Sequence, residues 1–233
     1  GQFAASYNDL TVPLAGVPLN IARLYSSLDT RKGDFGAGWR LATFGNVVDA
    51  PSESPLQGLK PGAKVYVTLP DGRRVGFKFD PFAPAFLFPY VVTPRFTPDP
   101  GVFDKLEVAE TSVFLLDGVA YADFSTFYNP SRYILTTKEG VRYEMDEALG
   151  VQLIRDRNGN TITFTPTAIV SSTGVQLTLT RDGQNRITVI REPGGAELRY
   201  SYDAFGNLAT VTDQLNRVTR HFYENAAFPN YLT

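Results

Sequence analysis

The chain of 233 residues contains one histidine, His221, and no cysteine, which bounds its chemistry from the start. A Ser-His-Asp constellation could be assembled only around His221. Ser201 and Asp203 are its nearest partners in sequence, yet no nucleophile-elbow motif surrounds the serine. A histidine placed in a strand for ordinary packing accounts for His221 better, so no catalytic residue is assigned and the chain is expected not to be an enzyme. Without cysteine, disulfide frameworks and thiolate metal sites are excluded. Asp156, Asn158 and Asn160 alternate as at the start of a calcium-binding loop. The sixth position, where such a loop needs Gly, is Thr161, and the twelfth is Thr167 in place of Glu, which excludes an EF-hand. Turn capping explains the three residues better than a looser carboxylate site, so no metal and no cofactor is expected. Glycoside hydrolysis needs two carboxyl groups facing one cleft, whereas the acidic residues here fall at turn positions along the edges of a predicted ribbon.

Aromatic side chains are the other candidates for contact chemistry. Trp39 follows a glycine-rich turn and could stack on a sugar, although a core plug is the favoured role. Phe88 and Tyr90 lie in a segment rich in Phe and Pro, and with Trp39 they are the candidate ligand contacts. The net charge is −2 and the Lys and Arg residues are scattered. Phosphate backbones and anionic membranes both require clustered cations, so neither nucleic acid nor a membrane surface is an expected partner. No run of about 18 apolar residues could span a bilayer. No signal peptide is recognised, and Gly1 reads as a residue left by tag removal, so the chain is expected to be an excerpt of a longer polypeptide.

The elements that would carry these residues are strands. Hydrophobic residues make up 43% of the chain, with 17 Phe, 12 Tyr, 20 Gly and 16 Pro, a mixture that favours strands and tight turns. Three zones differ in composition. Residues 1–50 predict strands over Leu10–Leu14, Leu19–Tyr25 and Leu41–Val48, around the glycine-rich Gly33–Trp39. Residues 51–130 hold most of the prolines together with Phe77, Phe79, Phe82, Phe86, Phe88, Tyr90 and Phe96. One hairpin is expected there, Val65–Leu69 and Arg73–Phe79 joined by Pro70-Asp71-Gly72. A helix of one or two turns is expected over Phe103–Glu110. This insertion either caps an open sheet edge, the favoured role, or offers an apolar patch to a partner.

Residues 131–233 are periodic. Asp182, Glu192, Asp203, Asp213 and Glu224 follow one another at intervals of 10, 11, 10 and 11 residues, and Asp146 and Asp156 are also 10 apart. Pro166–Thr173 reads as an inserted loop. Three residues after the acid comes Gly or Asn: Asp156 with Gly159, Asp182 with Asn185, Asp203 with Gly206, Asp213 with Asn216. Asp at the head of a type I turn accepts bonds from backbone N–H groups, and Gly or Asn tolerates the positive φ that closes a bulged hairpin. These eight residues are therefore assigned as structural turn residues. A short β-rich run follows each turn, and Leu198, Tyr200 and Tyr202 alternate as in a half-buried strand. A unit of about 21 residues, made of two half-repeats, is a hairpin that gains stability by stacking on its neighbours.

Tyr202-Asp203-Ala204-Phe205-Gly206-Asn207-Leu208, with Val211-Thr212-Asp213 and Arg217-Val218-Thr219, resembles the YD repeat of RHS proteins. Asp156–Phe164 is a second match, and Val17–Ser27 with Gly33–Trp39 resembles the segment that opens many bacterial RHS regions. Residues 10–48 and 140–224 carry the likeness. The resemblance implies an all-β fold, a curved antiparallel sheet of stacked YD-type hairpins with a Pro/Phe-rich insertion. It also implies a non-catalytic module of a large bacterial protein, secreted or held at the cell surface, whose repeats wind into a shell or scaffold. Implied partners are the remainder of that polypeptide and an enclosed effector, or a cell-surface protein or glycan as in animal teneurins. About three full repeats are too few to close a shell. The chain also lacks the aspartyl self-cleavage segment and the toxin domain of toxin members, so encapsulation is not assigned to it alone. A binding module for glycan or protein, using the exposed aromatics of the insertion, is the alternative.

Overall fold

The computed structural model describes residues 3–14, 18–29, 32–42, 48–49, 58–69, 73–83, 88 and 90–233. All regular elements among them are strands, and all their pairings are antiparallel. The chain forms two compact units, Gly1–Phe44 with Asn160–Thr233, and Gly45–Gly159. The units divide at 44/45 and 159/160, beside the compositional boundaries at 50 and 130. The opening segment folds with the last repeats, and the insertion folds with the first hairpins of the periodic zone.

In the first unit, β1 (Ala4–Val12) pairs with β2 (Leu19–Ser26), with a register shift between Asn8 and Leu10, and β2 pairs with β5 (Trp39–Leu41). β1 begins well before the expected Leu10, because pairing with β2 supplies what its polar sequence lacks. It stops before Pro13, which has no N–H to donate. On β2 the residues Leu19, Ile21, Arg23 and Tyr25 are buried in alternation, which puts a cation in a core stripe. Of the expected strand Leu41–Val48, Leu41 ends β5, and residues 43–47 lie outside the described residues. The glycine-rich stretch folds into a small hairpin, β3 (Lys32–Gly33) with β4 (Gly36–Ala37). Gly36 has φ +91°, and a Cβ there would lie 2.3 Å from the carbonyl oxygen of Gly206. Gly36→Ala is expected to destabilise this unit by about 2–3 kcal/mol through positive-φ strain and overlap with backbone. Urea unfolding followed by Trp39 fluorescence measures it. An unchanged midpoint would mean that the two backbones can part at no cost.

The second unit contains β6 (Val48–Asp49), β7 (Lys64–Thr68), β8 (Arg74–Phe79), β9 (Val91–Val92), β10 (Phe96–Pro98), β11 (Lys105–Glu107), β12 (Val113–Leu116), β13 (Val119–Tyr121), β14 (Arg132–Thr136), β15 (Arg142–Asp146) and β16 (Gly150–Arg155). The expected hairpin is present as β7 and β8, in register from Lys64↔Lys78 to Thr68↔Arg74, while its turn residues 70–72 lie outside the described residues. The helix expected over Phe103–Glu110 is not formed. Leu106 pairs with Leu135 of β14 and is buried, whereas Phe103 is 78% exposed, so the apparent helical spacing of apolar residues has no shared face. A second hairpin turns at Asp117-Gly118, where φ values of +47° and +74° suit a two-residue type I′ turn. Phe77, Phe79 and Phe96 are core residues, packed with Tyr128 and Tyr133, whereas Phe82, Phe88 and Tyr90 are exposed. Phe86 lies outside the described residues.

The first unit resumes with β17 (Thr161–Phe164), β18 (Ala168–Ser171), β19 (Gln176–Arg181), β20 (Ile187–Arg191), β21 (Glu197–Tyr202), β22 (Leu208–Thr212) and β23 (Val218–Arg220), each paired with the next in chain order. One face buries Ile162, Phe164, Leu177, Leu179, Ile190, Leu198, Tyr200 and Val211. The other presents Thr178, Thr180, Arg191, Arg199 and Ser201 to water, the usual division of a one-sided antiparallel sheet. The stretch Pro166–Thr173, expected as an inserted loop, contains strand β18 instead. Its turns are headed by Thr165 and Ser171, whose hydroxyls do the work of a carboxylate. With Ser171 counted as a turn head, the 11-residue step to Asp182 continues the period.

Candidate functional site

Most of the polar side chains that could do chemistry are engaged in holding backbone. At Asp182 the residue's own N–H donates to Arg186 O at 2.9 Å, and Asn185 N–H donates back to Asp182 O at 2.9 Å. The Asp182 carboxylate accepts from Gln184 N–H at 2.9 Å and Arg186 N–H at 3.0 Å. Asp203 and Asp213 repeat the arrangement with Phe205 and Asn207, and with Leu215 and Arg217. Asp156 accepts from Asn158 N–H, and Gly159 N–H donates to its carbonyl. The closing residues take positive φ: +89° at Gly159, +64° at Asn185, +87° at Gly206 and +59° at Asn216. The Arg217 N–H and then its guanidinium hold the Asp213 carboxyl below the usual carboxylate range. Glu192 heads a turn of the same backbone pattern but sends its longer side chain to Gln214. Glu224 heads no such turn. Asn225 caps the bend that follows it, through Ala227 N–H.

A second regularity joins the turns. Arg181 Nε donates to Pro166 O, the Tyr202 hydroxyl to Ile187 O, and the Tyr223 hydroxyl to Leu208 O, each across 15 residues. The donors 181, 202 and 223 are 21 apart (202 − 181 = 223 − 202 = 21), the length of one full repeat. Such a bond satisfies a carbonyl at a strand start and fixes the register of one hairpin on the last. Arg186 lies 4.1 Å over the Tyr202 ring and adds a cation–π contact at the same position.

The densest polar cluster is inside the first unit. Arg23, only 2% exposed, forms a two-pronged pair with Asp9: Nε to Oδ2 at 2.5 Å and Nη2 to Oδ1 at 2.9 Å. Its remaining nitrogen meets His221 Nε2 at 3.1 Å. Since a guanidinium can only donate, Nε2 accepts and the imidazole is neutral with its proton on Nδ1. The Tyr200 hydroxyl donates to Asp9 Oδ2 at 3.0 Å. The rings of Tyr7 and Trp39 flank the guanidinium at 5.1 and 5.2 Å, and Trp39 Nε1 donates to the Tyr223 hydroxyl at 2.8 Å. Burial and then the Arg23 charge push His221 down to about 4, against a smaller opposing pull from Asp9. Two strands of the opening segment, β1 and β2, are thereby fastened to β21 and to the residues that follow β23.

Residues 181–218 match the RHS repeat, and residues 1–77 match a domain of unknown function, DUF6531. The chain thus carries an RHS repeat, consistent with the RHS/YD-repeat family. No curated protein matches it. The repeat match runs from Arg181, the first of the donors spaced 21 apart, to the start of β23, and includes the second donor, Tyr202.

The residues that could have formed a catalytic triad are not brought together. His221 is engaged by Arg23, Ser201 shares a 2.6 Å bond with Thr210, and Asp203 caps its own turn. Trp39, the candidate for sugar stacking, is fully buried among Tyr7, Tyr25 and His221. Phe88 and Tyr90 are 55% and 40% exposed and meet edge to face at 6.1 Å. Among the described residues no three His, Asp or Glu side chains converge as metal ligands, and no helix is long and apolar enough to cross a membrane.

Proposed function

We propose that the chain is a non-catalytic structural module of a larger secreted or cell-surface RHS-repeat protein, in which the hairpins contribute to a β-shell or scaffold and the opening segment is latched onto them. The observation that carries this reading is the buried Asp9–Arg23–His221–Tyr200 network. It spends the only histidine and the most buried arginine on joining two parts of the sequence. The repeat turns support it as well, since their carboxylates are consumed by backbone N–H groups. The remainder of the polypeptide is the first partner, and an enclosed effector the second. Denaturing mass analysis of the natively purified parent protein tests this. A C-terminal fragment released only by denaturant is the result expected of a shell; a single chain with no retained fragment would leave only the scaffold.

One observation favours a second role, as a binding surface for protein or glycan. Phe88, Tyr90, Phe124 and Phe127 are exposed in one region of the second unit, where burial would be the ordinary fate of so many rings.

A further inference from the structure

The outer face of the sheet formed by β9, β12 and β13 is built like a core. Val91, Phe114 and Tyr121 lie in register across its three strands, with Leu116 opposite Val119 beside them. The alternate residues Val92, Val113 and Ala120 are buried on the other face. An antiparallel sheet that meets water on one side normally alternates apolar with polar residues, as the repeat hairpins do; here both faces are apolar. The rings continue beyond the strands. Phe124, 73% exposed, lies 4.4 Å from Phe114; Tyr90 stacks on Phe114 at 6.5 Å and meets Phe88; and Phe127 lies 5.0 Å from Tyr121.

Outside the buried cluster around Arg23, an arginine covers each of three rings. Arg74 covers Tyr66 at 4.3 Å, Arg95 covers Phe82 at 5.3 Å, and Arg186 covers Tyr202 at 4.1 Å. No cation lies over the row among the described residues. Residues 81–94 carry no charge, residues 108–130 carry Glu110, Asp117 and Asp123 with no Lys or Arg, and Arg95, just past β9, lies over Phe82. The Asp123 carboxylate is held by the Ser125 and Thr126 N–H groups and hydroxyls, which pull it down to about 2 and keep it anionic. Asp117 stands exposed at the β12–β13 turn.

We propose that this face docks an arginine-bearing segment of a partner protein, its guanidinium groups stacking on the ring row with Asp117 and Asp123 as counter-charges. The inference rests on the binding-surface role above and narrows it to one partner chemistry. Arginine suits the site better than lysine because its planar, weakly hydrated head stacks on rings and pairs with a carboxylate at once.

The test uses the whole chain, a fluorescein-labelled octapeptide of alternating Arg and Gly, and its Lys–Gly counterpart. The Arg peptide is expected to bind at least tenfold more tightly. Phe124→Ala, at a ring too exposed to matter for folding, should weaken binding at least tenfold. Asp117→Asn, which keeps the positive-φ turn, should weaken it severalfold and flatten its salt dependence. Equal binding of the two peptides, survival of binding in Phe124→Ala, or no binding would overturn the proposal. So would preferential binding of an oligosaccharide, or Phe124-dependent self-association in sedimentation. Binding of an apolar dye separates the two failures. If the dye binds and is lost in Phe124→Ala while the Arg peptide does not bind, the surface stands and the arginine partner falls. If neither binds, both fall.

Discussion

Arg23→Ala is expected to destabilise the first unit by about 3–5 kcal/mol, the usual cost of removing one partner from a buried ion pair. The substitution leaves the Asp9 carboxylate with its side chain 7% exposed and, among the described residues, with the Tyr200 hydroxyl as its remaining side-chain donor. It also takes the donor from His221 and the cation from between Tyr7 and Trp39. The penalty comes from the charge left behind more than from the attraction lost, and this distinction can be measured. Asp9→Leu combined with Arg23→Met removes both charges and keeps apolar volume, so the double variant should be more stable than Arg23→Ala and near the parent. Trp39 is the only tryptophan and sits 5.2 Å from the guanidinium, so its fluorescence during urea unfolding reports this site directly. A loss below about 1 kcal/mol for Arg23→Ala would show that water reaches Asp9 and that the network is not the latch it is taken to be.

The turns were legible because their chemistry is local. An Asp followed three residues later by Gly or Asn contains in four residues everything the hairpin loop needs. The same loop recurs at Ser171 and Thr137, where a hydroxyl heads the turn and Gly174 or Gly140 takes the positive φ, and a period of acidic residues alone does not reveal it. Asp117-Gly118 carries as clear a hairpin signal as Asp71-Gly72, within a segment otherwise dominated by Pro and Phe. The helix expected near Leu106 failed for a different reason. Three residues of that segment are claimed by pairing with β14, and a long-range pairing of that kind leaves no local mark. The latch was half visible. Arginine in the stripe Leu19, Ile21, Arg23, Tyr25 announces a buried cation that needs an anion, but nothing local says that Asp9 supplies it or that a histidine 198 residues away completes it. The donors 181, 202 and 223 lay in plain sight at the repeat length. Their equivalence is hidden because Arg181 stands where the later repeats have Tyr, and only the shared carbonyl target reveals it.

Acidification from pH 7 to pH 4 is expected to weaken the first unit through His221 by about 2 kcal/mol. In the unfolded chain the imidazole takes up a proton near 6.5, whereas in the folded chain burial and the facing Arg23 charge delay protonation to about 4. The folded-state value is depressed, so the unfolded state binds more protons between those limits and is favoured as the pH falls through them. The contribution is complete above about 6.5, declines between 6.5 and 4, and is constant below. Linkage bounds it at roughly 3 kcal/mol, and the lower figure allows for the solvent that still touches the ring. Facing the imidazole are Arg23 on β2, Tyr7 on β1 and Trp39 on β5, with Asp9 on β1 acting through its charge. Arg23 stays charged throughout, and protonation of His221 would turn its 3.1 Å acceptor into a second cation. His221→Gln keeps a side chain able to accept from Arg23 and removes the titration. Urea midpoints read by Trp39 fluorescence should therefore fall more steeply between pH 6.5 and 4 for the parent than for His221→Gln, and the two curves should run parallel above pH 7. Parallel curves over the whole range would mean that the folded chain binds a proton on His221 as readily as the unfolded one, despite the facing Arg23 charge. The bond to Arg23 would then have to be abandoned, and with it the reading of the cluster as a latch closed by a neutral histidine.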